Sequence, residues 1–229
     1  MKIETIKNTS VKISIEETKV IGDKTIVILI PGVSGKVFTD KYKEFVDTCT
    51  DNGLSVARMQ SWESTDDLQK KSLADLHKDL DTAVAYLREL GYETIYAVGK
   101  SLGGGILLTR NHPDIKKLVL WAPAISASKS EGNLAKMKDK KLGDIQSLVD
   151  IKMGKTFLSG EFANILIIHG TDDTHIPIAN SKRIVSLLNS AELYPIDKMD
   201  HSYDKYGISE MDEKMRETDN KTVQFLIKQ

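Results

Sequence analysis

Residues 94–105 read TIYAVGKSLGGG, and this stretch decides the fold. Thr94 to Gly99 is a short apolar run with β-branched and aromatic members, the composition of a strand buried inside a sheet. Leu102 to Thr109 reads as the helix that follows. Between the two lies Gly99-Lys100-Ser101-Leu102-Gly103, a G-x-S-x-G at a strand-to-helix junction. A turn this tight needs small residues on either side and holds its serine in strained backbone geometry. Ser101 would then stand above the sheet with its Oγ beside a helix N-terminus, where backbone N–H groups stabilise developing negative charge.

Outward from this junction, strand-like and helix-like segments alternate. TIVILI at 25–30 is a continuous apolar run, whereas VKISI at 11–15 alternates as a half-exposed strand does. A helix at about 39–52 leads through the turn Asn52-Gly53 to a strand at 54–59. Leu73, Leu76, Leu80, Val84 and Leu87 recur at spacings of three and four and form one apolar helical stripe, closed by Gly91. KKLVLWAP at 116–123 is the next strand, set off by His112-Pro113. NILIIHG at 164–170, a helix at about 177–189, the strand AELYPI at 191–196 and a C-terminal helix ending in TVQFLIKQ complete the series. Such alternation predicts an α/β fold, a mainly parallel sheet with helices on both faces, within a single domain over 1–229. Residues 124–160 break the rhythm with seven lysines and four acidic residues, so they are expected to form a small inserted cap.

Composition excludes several classes of function. With 32 Lys and Arg against 33 Asp and Glu the net charge is −1, which supplies no positive field for a nucleic-acid backbone. No apolar run reaches the roughly 18 residues of a membrane span, and the polar start MKIETIKNTS lacks a signal-peptide core. The expectation is a cytoplasmic protein without a membrane span. Cys49 is the sole cysteine, so neither an internal disulfide nor a Cys-rich metal site can form.

The same stretch has to be tested as a phosphate loop, since Gly99-Lys100-Ser101 ends like one. A P-loop requires a glycine five positions before Gly99, where Thr94 stands, and Gly103-Gly104-Gly105 fails G-x-G-x-x-G at Leu108. A serine nucleophile instead demands a base held by an acid. Downstream, Thr171-Asp172-Asp173-Thr174-His175 follows the strand 164–170, and Met199-Asp200-His201-Ser202 follows the strand 191–196. Both segments lie where ligands gather, in loops at the carboxyl ends of strands. The order Ser, Asp, His is the one this arrangement requires.

Taken together, Pro31-Gly32-Val33-Ser34-Gly35, Gly99 to Gly104, His169-Gly170-Thr171-Asp172-Asp173 to Pro177, and Asp200-His201-Ser202 resemble the α/β-hydrolase-fold serine hydrolases. HPDIKKLVLWAPA at 112–124 and HGTDDT at 169–174 look most like small bacterial carboxylesterases of the cinnamoyl or feruloyl type. The resemblance implies Ser101 as nucleophile, His201 as base and Asp173 as orienting acid, with an oxyanion hole from the backbone N–H groups of Val33 and Leu102. It further implies a small-molecule ester substrate and chemistry that needs no cofactor and no metal. Relatives place the acid four residues after the strand-ending histidine and four before the helix-starting proline. That rule selects Asp173, between His169 and Pro177, over its neighbour Asp172. Thioester or peptide cleavage on the same triad, and a non-catalytic ligand-binding role, are the alternatives.

Two departures accompany the resemblance. Pro31 stands where many relatives have His-Gly, and Lys100 precedes the serine where histidine is frequent. Lys100 reads either as a structural cation or as a group that tunes Ser101 or the substrate's charge. Of the remaining histidines, His77, His112 and His169 read as structural. His175, two residues from Asp173 in one loop, is poorly placed to serve as that acid's base.

Overall fold

The computed structural model describes residues 2–20, 22–124, 162–201 and 209–228. Among the described residues eight strands form one sheet: β1 (Glu4–Thr5), β2 (Lys12–Glu16), β3 (Thr25–Ile30), β4 (Ser55–Gln60), β5 (Thr94–Lys100), β6 (Ile115–Trp121), β7 (Asn164–Gly170) and β8 (Ala191–Ile196). Their order across the sheet is β1-β2-β4-β3-β5-β6-β7-β8. β1 to β2 and β2 to β4 are antiparallel, and every later pairing is parallel. The chain steps from β3 to β4 on one side and then to β5 on the other, so the sheet reverses its order at β3. Crevices at the carboxyl ends of strands beside such a reversal are where open α/β sheets bind ligands.

Among the described helices are α1 (Lys43–Asp51), the short α2 (Thr65–Leu68), α3 (Leu73–Glu89), α4 (Leu102–Arg110), α5 (Ala179–Leu187) and α6 (Ser209–Ile227). Alternate residues of the central strands feed two separate cores. Ile26, Ile28, Ile30, Ala97, Leu118, Leu120, Ile165 and Ile167 pack with the stripe of α3, with α4 and with Ile184 of α5. Val27, Leu29, Val98, Val119, Trp121, Leu166 and Ile168 pack with α1 and α6. Burial on both faces explains why these strands are continuous apolar runs in the sequence. Trp121 anchors the second layer: it meets Phe45 edge-on at 5.2 Å and donates its indole N–H to Thr222 at 3.0 Å.

Local chemistry sets the helix ends. Ser72 and Asp75 form a reciprocal capping box at the start of α3. At its end Gly91 takes φ +92°, and the N–H groups of Gly91 and Tyr92 return to the carbonyls of Arg88 and Leu87. That is the bonding of a Schellman motif, so the glycine does stop the helix.

The differences from expectation are local. The helix expected over 39–52 begins as a 3-10 turn at Asp40–Tyr42 before α1. β1 and α2 have no periodic signature because they are only 2 and 4 residues long. β6 stops at Trp121 rather than 123, since Ala122 turns to φ 44°. The cap expected at 124–160 lies outside the described residues, apart from its first residue, Ala124.

Close packing at the elbow depends on two glycines. A Cβ on Gly99 would lie 2.6 Å from backbone atoms of Gly103 and Gly104. One on Gly103 would lie 2.4 Å from the carbonyl oxygen of Ile30 and 2.7 Å from that of Pro31. Gly103→Ala is therefore expected to lose about 1–3 kcal/mol of stability, the usual cost of overpacking. Equilibrium denaturation in urea checks this, and a midpoint equal to the parent's would contradict it.

Candidate active site

Ser101 sits between the end of β5 and the first residue of α4 with φ 51° and ψ −113°. For a non-glycine residue this conformation is strained and persists only when the surroundings impose it. Here the Ser101 N–H donates to the Trp121 carbonyl at 2.8 Å. Its own carbonyl accepts from Gly105 N–H at 3.1 Å and from Ala124 N–H at 2.9 Å. β6, α4 and the chain beyond β6 thus hold the turn from three sides. The N–H of Leu102 opens α4 and belongs to the helix's first turn, which has no carbonyl partner within the helix.

The candidate acid and base, Asp173 and His201, come from adjacent loops that are locked together. Thr171 N–H donates to the Ile196 carbonyl at 2.9 Å, and Asp172 N–H to the Met199 carbonyl at 3.1 Å. A Cβ on Gly170 would fall 2.0 Å from the Met199 carbonyl oxygen, so only glycine lets the two loops approach this closely. Asp173 and His201 are thereby brought into contact: His201 Nδ1 lies 2.7 Å from Asp173 Oδ2. On the other side of the ring, His201 Nε2 lies 3.0 Å from Ser101 Oγ. The three residues selected from the sequence form one continuous chain of hydrogen bonds.

Asp173 is the most constrained member of that chain. Its side chain is fully buried, and both oxygens are occupied. Oδ1 accepts from His175 N–H at 2.9 Å and Ile176 N–H at 2.7 Å, while Oδ2 faces His201 and also His169 Nε2 at 3.2 Å. Burial on its own works to raise the carboxyl pKa. The hydrogen bonds from His169, His201 and the Ile176 N–H outweigh it and hold the group well below the ordinary carboxylate range. An ionised Asp173 can only accept, so Nδ1 of His201 carries the hydrogen and Nε2 is left to accept from the serine hydroxyl. Asp172 is exposed and takes a local hydrogen bond from Thr171 Oγ1 at 3.3 Å, away from His201.

His169 is structural, and it also touches Asp173. The ring is completely buried, with Nδ1 2.6 Å from Ser181 Oγ and Nε2 2.8 Å from the Ile176 carbonyl. Because a carbonyl can only accept, Nε2 carries the hydrogen and Nδ1 receives the Ser181 hydroxyl. His169 therefore braces the acid from behind. A histidine at the end of a buried strand, four residues before an aspartate, was the signal for it. His77 bonds Thr109 Oγ1 at 2.8 Å and His112 lies near Asp81, both remote from the site as expected.

The loop after β3 closes the opposite wall. Gly35 N–H returns to the Gly32 carbonyl at 3.0 Å, while Trp62 donates to the Val33 carbonyl at 3.1 Å and Gln60 to the Gly35 carbonyl at 2.7 Å. These bonds fix Gly32 and Val33 beside the elbow, where a Cβ on Gly32 would lie 3.4 Å from that of Ser101. A cavity of about 280 Å3 opens there, lined by Gly32, Val33, Ser34, Lys36, Thr39, Lys41, Tyr42, Lys100, Ser101 and His201. Lys100 and Tyr42 are both buried, and no local pattern in the sequence marks Trp62 or Tyr42, because their link to the site is purely tertiary. Among the described residues no group of three or more His, Cys, Asp or Glu could hold a metal ion, and no helix is long and apolar enough to cross a membrane.

Sheet order, elbow and loop placement together define the α/β-hydrolase fold. Solved structures agree with that assignment across nearly the whole chain. Est1E from Butyrivibrio proteoclasticus superposes with a TM-score of 0.74 at 15% identity, covering 99% of each chain. Thermogutta terrifontis esterase 2 phosphonylated by sarin gives 0.72 at 14% identity, over 98% of this chain and 94% of that one. A predicted CIB-like hydrolase from Thermoplasma acidophilum gives 0.64 at 16% identity, over 97% and 98%. No family model and no curated protein sequence matches the chain.

The depressed pKa of Asp173 carries a signed consequence. Since the folded value lies below the unfolded value of about 3.9, ionised Asp173 favours the folded state above that pH. This contribution is lost as pH falls toward the folded value. The stability gap between the parent and Asp173→Asn is therefore expected to narrow below about pH 4. Denaturation midpoints at neutral and acid pH check it, and a gap independent of pH would contradict it.

Proposed function

We propose that this protein is a serine hydrolase that cleaves small carboxylic esters through an acyl-enzyme on Ser101. The observation that carries the reading is the unbroken chain from Ser101 Oγ through His201 to Asp173, at 3.0 and 2.7 Å, on a strained strand-to-helix turn. In this reading His201 Nε2 takes the hydroxyl proton as Oγ attacks the acyl carbonyl carbon. The imidazolium that forms keeps its Nδ1–H on Asp173, whose negative charge stabilises it without itself accepting the proton. The carbonyl oxygen, now carrying the negative charge, lies in an oxyanion hole supplied by the N–H groups of Val33 and Leu102. His201 then returns its proton to the leaving alcohol. Water enters, gives a proton to His201 as its oxygen attacks the acyl carbon, and the bond from that carbon to Ser101 Oγ breaks as His201 returns the proton to Oγ, releasing the acid.

Several features support these assignments. The Val33 N–H does not depend on the side chain that precedes Gly32, so Pro31 is compatible with the donor. The cavity of about 280 Å3 suits a small acyl or alcohol group. The esterase names of the similar structures, one of them solved with ferulic acid bound, favour esters over thioesters and peptides as the first substrates to test.

Hydrolysis of short p-nitrophenyl esters and of hydroxycinnamate esters provides the test. Ser101→Ala is expected to reduce kcat to the residual level set by binding and the oxyanion hole, with an unchanged circular dichroism spectrum. Asp173→Asn would leave the imidazole in the wrong tautomer and lower kcat by up to about ten-thousandfold, while Asp172→Asn costs far less. Full turnover by Ser101→Ala would remove the serine from the mechanism, and a larger loss from Asp172→Asn would move the acid by one residue.

A further inference from the structure

The geometry points to His175 as a positioning residue for His201, which we propose acts by covering one face of its ring. This inference rests on the hydrolase reading of the site. His175 and His201 stack with ring centroids 5.3 Å apart and planes inclined by 27°. The same residue donates its backbone N–H to Asp173 Oδ1 at 2.9 Å. One residue thus fixes the acid through its main chain and lies against the base through its side chain. His175 is itself exposed, whereas the His201 side chain is 17% exposed, so the outer ring shields the inner one from solvent.

Two physical effects follow from this placement. His201 must keep Nε2 on the serine and Nδ1 on the acid at once, and a planar group against one face opposes rotation of the ring out of that plane. The reaction also turns His201 into a cation, and an aromatic face within about 6 Å of a cation attracts it. The attraction grows as the imidazolium forms and the bar to rotation keeps the ring aligned for proton transfer, so both act on the chemical step rather than on substrate binding. A flat uncharged ring satisfies both requirements, and the imidazole nitrogens of His175 are not needed for either.

Three proteins distinguish this role from a merely structural one: the parent, His175→Ala and His175→Phe, each of which retains the backbone N–H to Asp173. His175→Ala is expected to lower kcat for p-nitrophenyl esters by roughly two- to tenfold, the factor an aromatic pair of this spacing represents, with KM within about twofold. His175→Phe restores most of the loss. Independently of turnover, the Nδ1 proton of His201, assigned by its disappearance in His201→Ala, should exchange with water faster in His175→Ala than in the parent or His175→Phe by NMR. An alanine variant matching the parent in both measurements would overturn the proposal, as would a phenylalanine variant as impaired as alanine. If the parent hydrolyses no ester, the hydrolase reading fails, and the exchange measurement alone then decides whether His175 holds His201.

Discussion

The backbone of Ser101 is the constraint on which the site depends. Holding a serine at φ 51° costs free energy on the order of 1–3 kcal/mol, and that cost is met by its surroundings. β5 delivers the residue and α4 leaves it at once, while Trp121, Gly105 and Ala124 bond its main chain. The strand pairing between β5 and β6 is thus part of the site, because the last carbonyl of β6 is what holds the Ser101 N–H. Gly99 and Gly103 supply the closeness, and the carbonyls of Ile30 and Pro31 that press against Gly103 bring the loop with Val33 to the same point. The proposed nucleophile and the candidate oxyanion donors are therefore set by one packing contact.

Electrostatics organises the other half. A fully buried carboxylate is costly unless its lone pairs are engaged, and Asp173 has two backbone N–H groups and two histidines around it. Its ionisation fixes the tautomer of His201, and that tautomer fixes the direction in which the Ser101 proton can travel. His169 extends the chain inward to Ser181 in α5, and His175 extends it outward to the surface. The site is thus a line of polar groups crossing from the helix layer to solvent, with each member oriented by the one behind it.

Much of this was legible in the sequence. TIYAVGKSLGGG indicated a buried strand, a tight turn and a helix, and each is present at that position. The stripe from Leu73 to Leu87 indicated α3, and Gly91 its end. Asp173 was separable from Asp172 by its distance from His169 and Pro177, and the contact with His201 agrees with that choice. What escaped was whatever has no period or depends on distant partners. β1 and α2 are too short to show a pattern, and the grip of Trp62 and Gln60 on the loop after β3 joins residues about 25 to 30 positions apart. The stacking of His175 on His201 depends on two loops meeting through Gly170 and Met199, which no spacing within either loop shows.

The central claim is that Ser101 is a nucleophile activated through His201. A fluorophosphonate probe followed by mass spectrometric mapping tests it most directly, since the probe bonds covalently to an activated serine. The account predicts a single adduct, on Ser101, formed much more slowly by His201→Ala. An adduct on another serine, or no adduct on a protein that turns over esters, would contradict it.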